Sequence, residues 1–273
     1  MCIFRNKFYE ITFVNDSNYL WEYRVLSSDS TFCFKGPSFE INNELYKPQL
    51  TEIKMNGDPQ RLSNGCIQYS IEGVFKQDNN LSLEILIRIA ENNPVFRFCY
   101  ILKSKTEHRL TKSNGHDEMI YLETSLNSLN EFKEIRFSEF NEMVHSFCLS
   151  EIPVDKRFFE NNMNIMGPML SGSGNSISML IAYENGSQVP DAYISYYLED
   201  NYYVKLKANK GNYYNGQIFN LNNPFKTIWF QVAAVDGNED MLAEAYRSFV
   251  LNFLSLNTES RKPYIYFNTW AYQ

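Results

Sequence analysis

The sequence predicts an all-β protein, folded as one large antiparallel two-sheet sandwich. Three observations carry this. The 273 residues include 21 Phe and 19 Tyr while alanine is scarce, a balance that favours strands over helices. Apolar and polar residues alternate at period two in one segment after another. About a dozen such segments on short connections exceed what one small barrel holds, and a sandwich is the economical architecture.

The clearest strand is Leu81 to Ala90. Leu81, Leu83, Ile85, Ile87 and Ile89 share one face, with Ser82, Glu84 and Arg88 on the other. Asn92-Asn93-Pro94 turns the chain into Val95 to Lys103, where Phe96, Phe98, Tyr100 and Leu102 share a side. Upstream, Cys66 to Phe75 is a third strand, between the turns Asn64-Gly65 and Gln77-Asp78-Asn79-Asn80. Three consecutive strands on short loops make a meander. Phe8 to Val14, Tyr19 to Leu26, Leu45 to Met55, Met119 to Thr124 and Met143 to Leu149 continue the theme, as do Ile177 to Tyr183, Ala192 to Leu198 and Tyr202 to Ala208. Ile228 to Val235 is nearly all apolar, as suits a strand covered on both faces. Gly172-Ser173-Gly174-Asn175-Ser176 reads as a hairpin loop.

One segment changes period. From Glu239 to Leu254, Leu242, Tyr246, Phe249 and Phe253 recur at helical spacing, and Asp236 with Glu239 resembles a capping box. A polar connector, Asn257 to Lys262, follows. Pro263 then opens an apolar strand, Tyr264-Ile265-Tyr266-Phe267, leading to Asn268-Thr269-Trp270. A strand placed after a helix at the very end reads as the first strand of something further.

Composition narrows the function classes. A net charge of −7 without a basic stripe argues against a nucleic-acid partner. No apolar run approaches the roughly 18 residues of a membrane span, and the start lacks a secretory signal. Five dispersed cysteines without a CxxC pair read as buried free thiols in a reducing compartment, the cytoplasm, with two bridges and a spare thiol as the alternative. His108, His116 and His145 have neither metal-ligand spacing nor an evident carboxylate partner, which also speaks against a mutarotase-like isomerase. No phosphate-binding, nucleophile-elbow or dinucleotide motif is present, and no cofactor or metal is expected. Glycosidases need two carboxylates across a sugar; Glu184 with Asp191, and Asp117 with Glu118, are the loop-borne candidates, and solvated charge is the plainer reading of both. Tyrosines crowd positions 193 to 214. Tyr196 and Tyr202 would serve a sugar-stacking platform, against the plainer reading of sheet packing.

The last third is more specific. Gly167-Pro168-Met169-Leu170, then Ile177 through Ala182-Tyr183-Glu184 and the turn Gly186-Ser187-Gln188-Val189-Pro190-Asp191, resembles family 36 glycoside hydrolases, the α-galactosidases. Tyr213-Tyr214-Asn215-Gly216-Gln217, the helix with Ala245-Tyr246-Arg247 and the strand with Asn268-Thr269-Trp270 are similar to the segments that follow in that family. The resemblance covers roughly Gly167 to Gln273; earlier residues match only in general strand character. Phe34-Lys35-Gly36-Pro37-Ser38-Phe39-Glu40 stands where many members carry an aromatic-Pro-x-Tyr-Gly loop, a departure that suggests a divergent subgroup.

The resemblance implies an N-terminal β-supersandwich over 1–236, similar to the galactose-mutarotase-like sandwich. It implies a linking helix and connector over 237–262, and over 263–273 the first strand of a (β/α)8 barrel cut short. Nucleophile and acid/base aspartates would lie on later barrel strands, so no residue here would be catalytic. Trp270, at the end of that first strand, would be the substrate-binding residue. The partner implied is an α-galactoside or other glycan bound through the barrel, with a homo-oligomer as a further implication. A free-standing carbohydrate-binding or scaffolding sandwich is the alternative.

Overall fold

The computed structural model describes residues 1–14, 19–113, 117–154, 165–184, 194–199, 202–210 and 214–262. Two large antiparallel sheets face each other. The smaller has seven strands. Cys2–Arg5, Tyr9–Phe13, Trp21–Val25 and Thr31–Lys35 run side by side, followed by Glu118–Ser125, Tyr203–Asn209 and Ile194–Leu198. The larger has eleven. Its continuous path runs Ser146–Pro153, Glu131–Asn141, Met169–Ser173, Ile177–Tyr183, Phe230–Asp236, Phe96–Ser104, Leu81–Ile89, Ile67–Phe75 and Leu50–Met55. The meander therefore forms as read, with Ile85 opposite Tyr100 and Ile71.

Alternation dictates what each face buries. Leu83, Ile85, Ile87, Phe96, Phe98 and Tyr100 point into the sandwich and meet Tyr9, Phe13, Trp21 and Phe34 from the smaller sheet. Trp21 stacks on Phe34 with ring centroids 4.0 Å apart and meets Phe98 across the gap at 5.3 Å. Each such side chain contributes about 1.5–3 kcal/mol of burial, so the aromatic load noted above is what holds the two layers together.

Some elements depart from expectation, each for a local reason. Leu45 to Met55 divides into Glu44–Tyr46 and Leu50–Met55, because Pro48 between them has no N–H for a ladder. The strand placed at Met143 to Leu149 is Ser146–Pro153, entered through a turn in which His145 has φ 46°. Its partner Glu131–Asn141 is hidden in the sequence by charge. Glu134 is fully buried there, accepting from the N–H groups of Met166 and Gly167 at 3.0 and 2.6 Å and from Arg136 at 3.0 Å. Gly172 and Ser173 belong to a strand, and the loop is confined to the residues after them. At Gly172 a Cβ would lie 2.8 Å from the Phe132 ring, so the glycine permits that packing.

The helix spans Glu239–Phe249 and continues as a π-helical turn, Val250–Leu254, matching the periodic segment. Its cap is Asn238, whose side chain accepts from the Met241 N–H, and not Asp236. Asp236 ends the preceding strand, paired with Ile177, and its backbone is committed to the ladder. Leu242 and Phe249 pack on Val95, Met169, Leu180, Ala182 and Ala233, on the outer face of the larger sheet. The helix is thus the cover for part of that face. No helix among the described residues is long and apolar enough to cross a membrane.

The five cysteines are free thiols, but only Cys66 and Cys99 are buried; Cys33 is exposed, because it sits on the outward side of its strand. The hairpin Glu131–Asn141/Ser146–Pro153 forms one edge of the larger sheet among the described residues. Phe140, Met143, Val144, Phe147 and Leu149 are each more than half exposed on it. The expected strand over 263–273 lies outside the described residues.

Candidate functional site

Beside the helix, the outer face of the larger sheet carries a polar row. Gln68, Arg88, Arg97 and Gln231 stand directly opposite one another on four adjacent strands. They are the outward residues of strands whose inward residues are the core, so the alternation that buries Phe96 and Phe98 also presents Arg97. Arg97 meets Glu184 bidentately, Nε to Oε1 at 2.5 Å and Nη2 to Oε2 at 2.6 Å. Gln231 donates to the same Oε1 at 2.7 Å. Such a fork-to-fork pair fixes direction as well as charge. The Trp229 ring caps the row, with Arg88 Cζ 4.2 Å, Arg97 Cζ 4.7 Å and Lys226 Nζ 5.4 Å from its centroid.

The end of the helix is tied to this row. Arg97 Nη1 lies 3.5 Å from the Leu254 carbonyl, Asn64 donates to the Phe253 carbonyl, and Ser63 donates to the Leu256 carbonyl at 2.6 Å. These bonds satisfy carbonyls that a helix end leaves open. Nearby, Glu84 accepts from Lys103 and Ser70, both at 2.5 Å. Two residues along the strand from Arg97 lies Cys99, whose thiol burial pushes up to about 12, so it is no nucleophile at neutral pH.

Glu184 is therefore not solvated loop charge, as the sequence suggested. It ends the Ile177–Tyr183 strand beside the outward face and finds Arg97 there. Asp191 lies outside the described residues. Asp117 and Glu118 are surface ion-pair partners of Lys112 and Lys207, at 3.6 and 2.6 Å. Arg97 and Trp229 carried no motif; the available signal was a lone arginine inside the aromatic run Phe96-Arg97-Phe98.

The remaining candidates resolve as packing. Tyr196 is fully buried and donates to the Ile181 carbonyl at 2.7 Å, and Tyr202 stacks on Phe132 at 5.3 Å. The Tyr196 strand turns that residue inward, while Tyr202, with φ 57° just before the Tyr203–Asn209 strand, is half-buried with its ring against Phe132. Tyr197 and Tyr203 lie under the ammonium groups of Lys207 and Lys35, at 5.2 and 5.1 Å. His108 does have a carboxylate partner: Nε2 is 2.9 Å from Asp78, and Nδ1 is 2.8 Å from Ser104 Oγ. The order imitates a hydrolytic triad, but Ser104 is 1% exposed and its Oγ accepts from the Thr106 N–H, which makes the trio a structural knot. Burial opposes ionisation of Asp78, yet the Asn80 N–H and the His108 ring hold its carboxyl below the usual carboxylate range. His145 is an exposed turn residue, and His116 lies outside the described residues, as does Trp270.

In the Phe34–Glu40 stretch, Glu40 meets Lys210 at 2.6 Å, both side chains almost wholly buried. Burial disfavours the charged form of Glu40, but the Lys210 ammonium and the Ser113 N–H bring its carboxyl below the usual range. No group of three or more metal-ligating side chains occurs among the described residues.

No protein-family model matches the sequence, and no curated protein matches it. Solved structures do. The chain is similar to a variant of the family 36 α-galactosidase AgaA from Geobacillus stearothermophilus, solved with 1-deoxygalactonojirimycin. The identity is 8% and the TM-score 0.55, over 92% of this chain and 42% of that one. It is similar to the α-N-acetylgalactosaminidase NagBb from Bifidobacterium bifidum, solved with GalNAc, at 10% identity and TM-score 0.54, over 96% and 40%. The family 36 α-galactosidase AgaB from Geobacillus stearothermophilus matches at 8% identity and TM-score 0.50, over 90% and 42%. The chain thus spans about two fifths of the length of the enzymes it resembles, and at such identity the likeness is one of fold. The all-β sandwich with one C-terminal α-helix among the described residues is a fold shared with part of the family 36 α-galactosidases.

Proposed function

We propose that the chain is the non-catalytic N-terminal β-sandwich domain of a retaining α-galactosidase-like glycoside hydrolase, acting on α-galactosides through a barrel that follows it. The observation that carries this reading is coverage: nearly all of this chain aligns with about two fifths of each enzyme. The interior carboxylates support it. Glycoside hydrolysis needs one carboxyl that can give up a proton and a second as base or nucleophile. Glu40, Glu84, Glu134 and Glu184 are each tied to a cation, Lys210, Lys103, Arg136 and Arg97 respectively. Of these, Glu40 has its carboxyl held below the usual range by its partners, which makes it a poor general acid. In this reading Trp270, at the end of the first barrel strand, contacts the sugar in the intact enzyme.

The test is hydrolysis of p-nitrophenyl α-galactoside by residues 1–273 alone and by the longer protein. The longer form is expected to turn over and the 1–273 chain to be inactive, with Trp270→Ala raising KM in the longer form. Turnover by the 1–273 chain sinks the reading. Saturable binding of a glycan by that chain points instead to a free-standing carbohydrate-binding module.

A further inference from the structure

Arg88 and Arg97 face each other directly on neighbouring strands, a placement that opposes folding when both are charged. Among the described residues only Arg97 is neutralised. Arg97 has Glu184; Arg88 has the amide oxygen of Gln68 at 2.9 Å and the face of Trp229. Lys226, exposed and 5.4 Å from the centre of the same ring, adds a third cation. Among the described residues neither Arg88 nor Lys226 makes an ion pair. Three cations and one carboxylate therefore surround one indole in a protein whose net charge is −7. Burial and the charge of Arg97 lower the Arg88 pKa, as expected of a cation short of a counter-charge. The surplus sits where the helix ends, since Arg97, Asn64 and Ser63 hold the carbonyls of Leu254, Phe253 and Leu256.

We propose that Arg88, Lys226 and the rim of Trp229 form a docking surface for an acidic face of the polypeptide that continues after this domain. One or more carboxylates of that face bridge the two cations at the indole. The inference rests on the reading of this chain as one domain of a longer hydrolase, and it names the surface that the second domain uses. Charge complementarity sets the occupant: the patch is cationic, with one half-buried aromatic at its centre.

The experiment is limited trypsin digestion of the longer protein, following the cut between Arg261 and Lys262 in the connector. Docking holds that connector between two packed bodies. Lys226→Glu is expected to raise the initial rate of this cut about tenfold or more, and Arg88→Gln to act in the same direction. Because Lys226 is exposed, its reversal leaves the sandwich folded. Raising salt from roughly 0.05 to 1 M is expected to speed the cut in the parent protein and to change it little in Lys226→Glu. A rate within twofold of the parent in Lys226→Glu overturns the proposal. So does a dimer of the 1–273 chain that Lys226→Glu dissociates, since a second copy would then be the occupant. Hydrolysis of p-nitrophenyl α-galactoside by the same preparations separates the two readings. An inactive protein whose connector the patch protects sinks the hydrolase alone; an active protein cut equally fast in both forms sinks the docking surface alone.

Discussion

Two ion pairs in this molecule share their chemistry and differ in their surroundings. Glu40 and Lys210 meet at 2.6 Å with side chains 2% and 1% exposed, closed on every side. Arg97 and Glu184 meet at 2.5 Å with side chains 7% and 24% exposed, at the margin of a sheet face half covered by the helix. Removing charge from water is costly, and a pair that is fully enclosed persists only if each partner completes the other. The closed pair is therefore a fastening within the sandwich. The open pair keeps water at one side and lies next to cations it does not neutralise, which makes it part of a surface able to recognise something else. Burial, more than residue type, separates a structural pair from a candidate site.

Substitution is the sharpest way to break that contrast. Lys210→Met leaves a buried carboxylate without its counter-ion and is expected to lose about 3–5 kcal/mol of unfolding free energy in urea titration, while Glu40→Leu combined with Lys210→Met recovers most of it. Arg97→Met is expected to lose less, about 1–3 kcal/mol, because Glu184 can rehydrate at its open side. Equal losses would erase the distinction. Acid titration gives a smaller, graded effect. The Glu40 carboxyl is depressed in the folded state, so its contribution is complete above the unfolded value near about 4 and fades as pH falls through the folded value. Stability against pH is expected to fall less steeply on the acid limb in the Glu40→Leu/Lys210→Met protein. At the far end of the scale, Lys207 and Glu118 pair at 2.6 Å on the outer face of the smaller sheet. Lys207→Gln is expected to change stability by about 0.5 kcal/mol or less in the same urea assay.

Much of the sandwich was legible because inward positions are aromatic or branched at strict period two. Leu81–Ile89 and Phe96–Ser104 need no tertiary information to be recognised as strands. Glu131–Asn141 was illegible for the opposite reason: Glu134 points inward, and only its partners on a distant segment explain how. The polar row was illegible as a site. Gln68, Arg88, Arg97 and Gln231 are spread over more than 160 residues of sequence, and pairing register alone makes them neighbours. His108 and Asp78 illustrate the same limit, since a turn brings them together without a motif.

The edge hairpin has a practical consequence. Among the described residues no strand pairs with the outer side of its last strand, and Phe147 and Leu149 are bare on it. Unguarded strands of that kind recruit one another into aggregates. Concentrated stocks of the chain alone should cloud at this hairpin first, and a single lysine in place of Leu149 is the simplest remedy for keeping them clear.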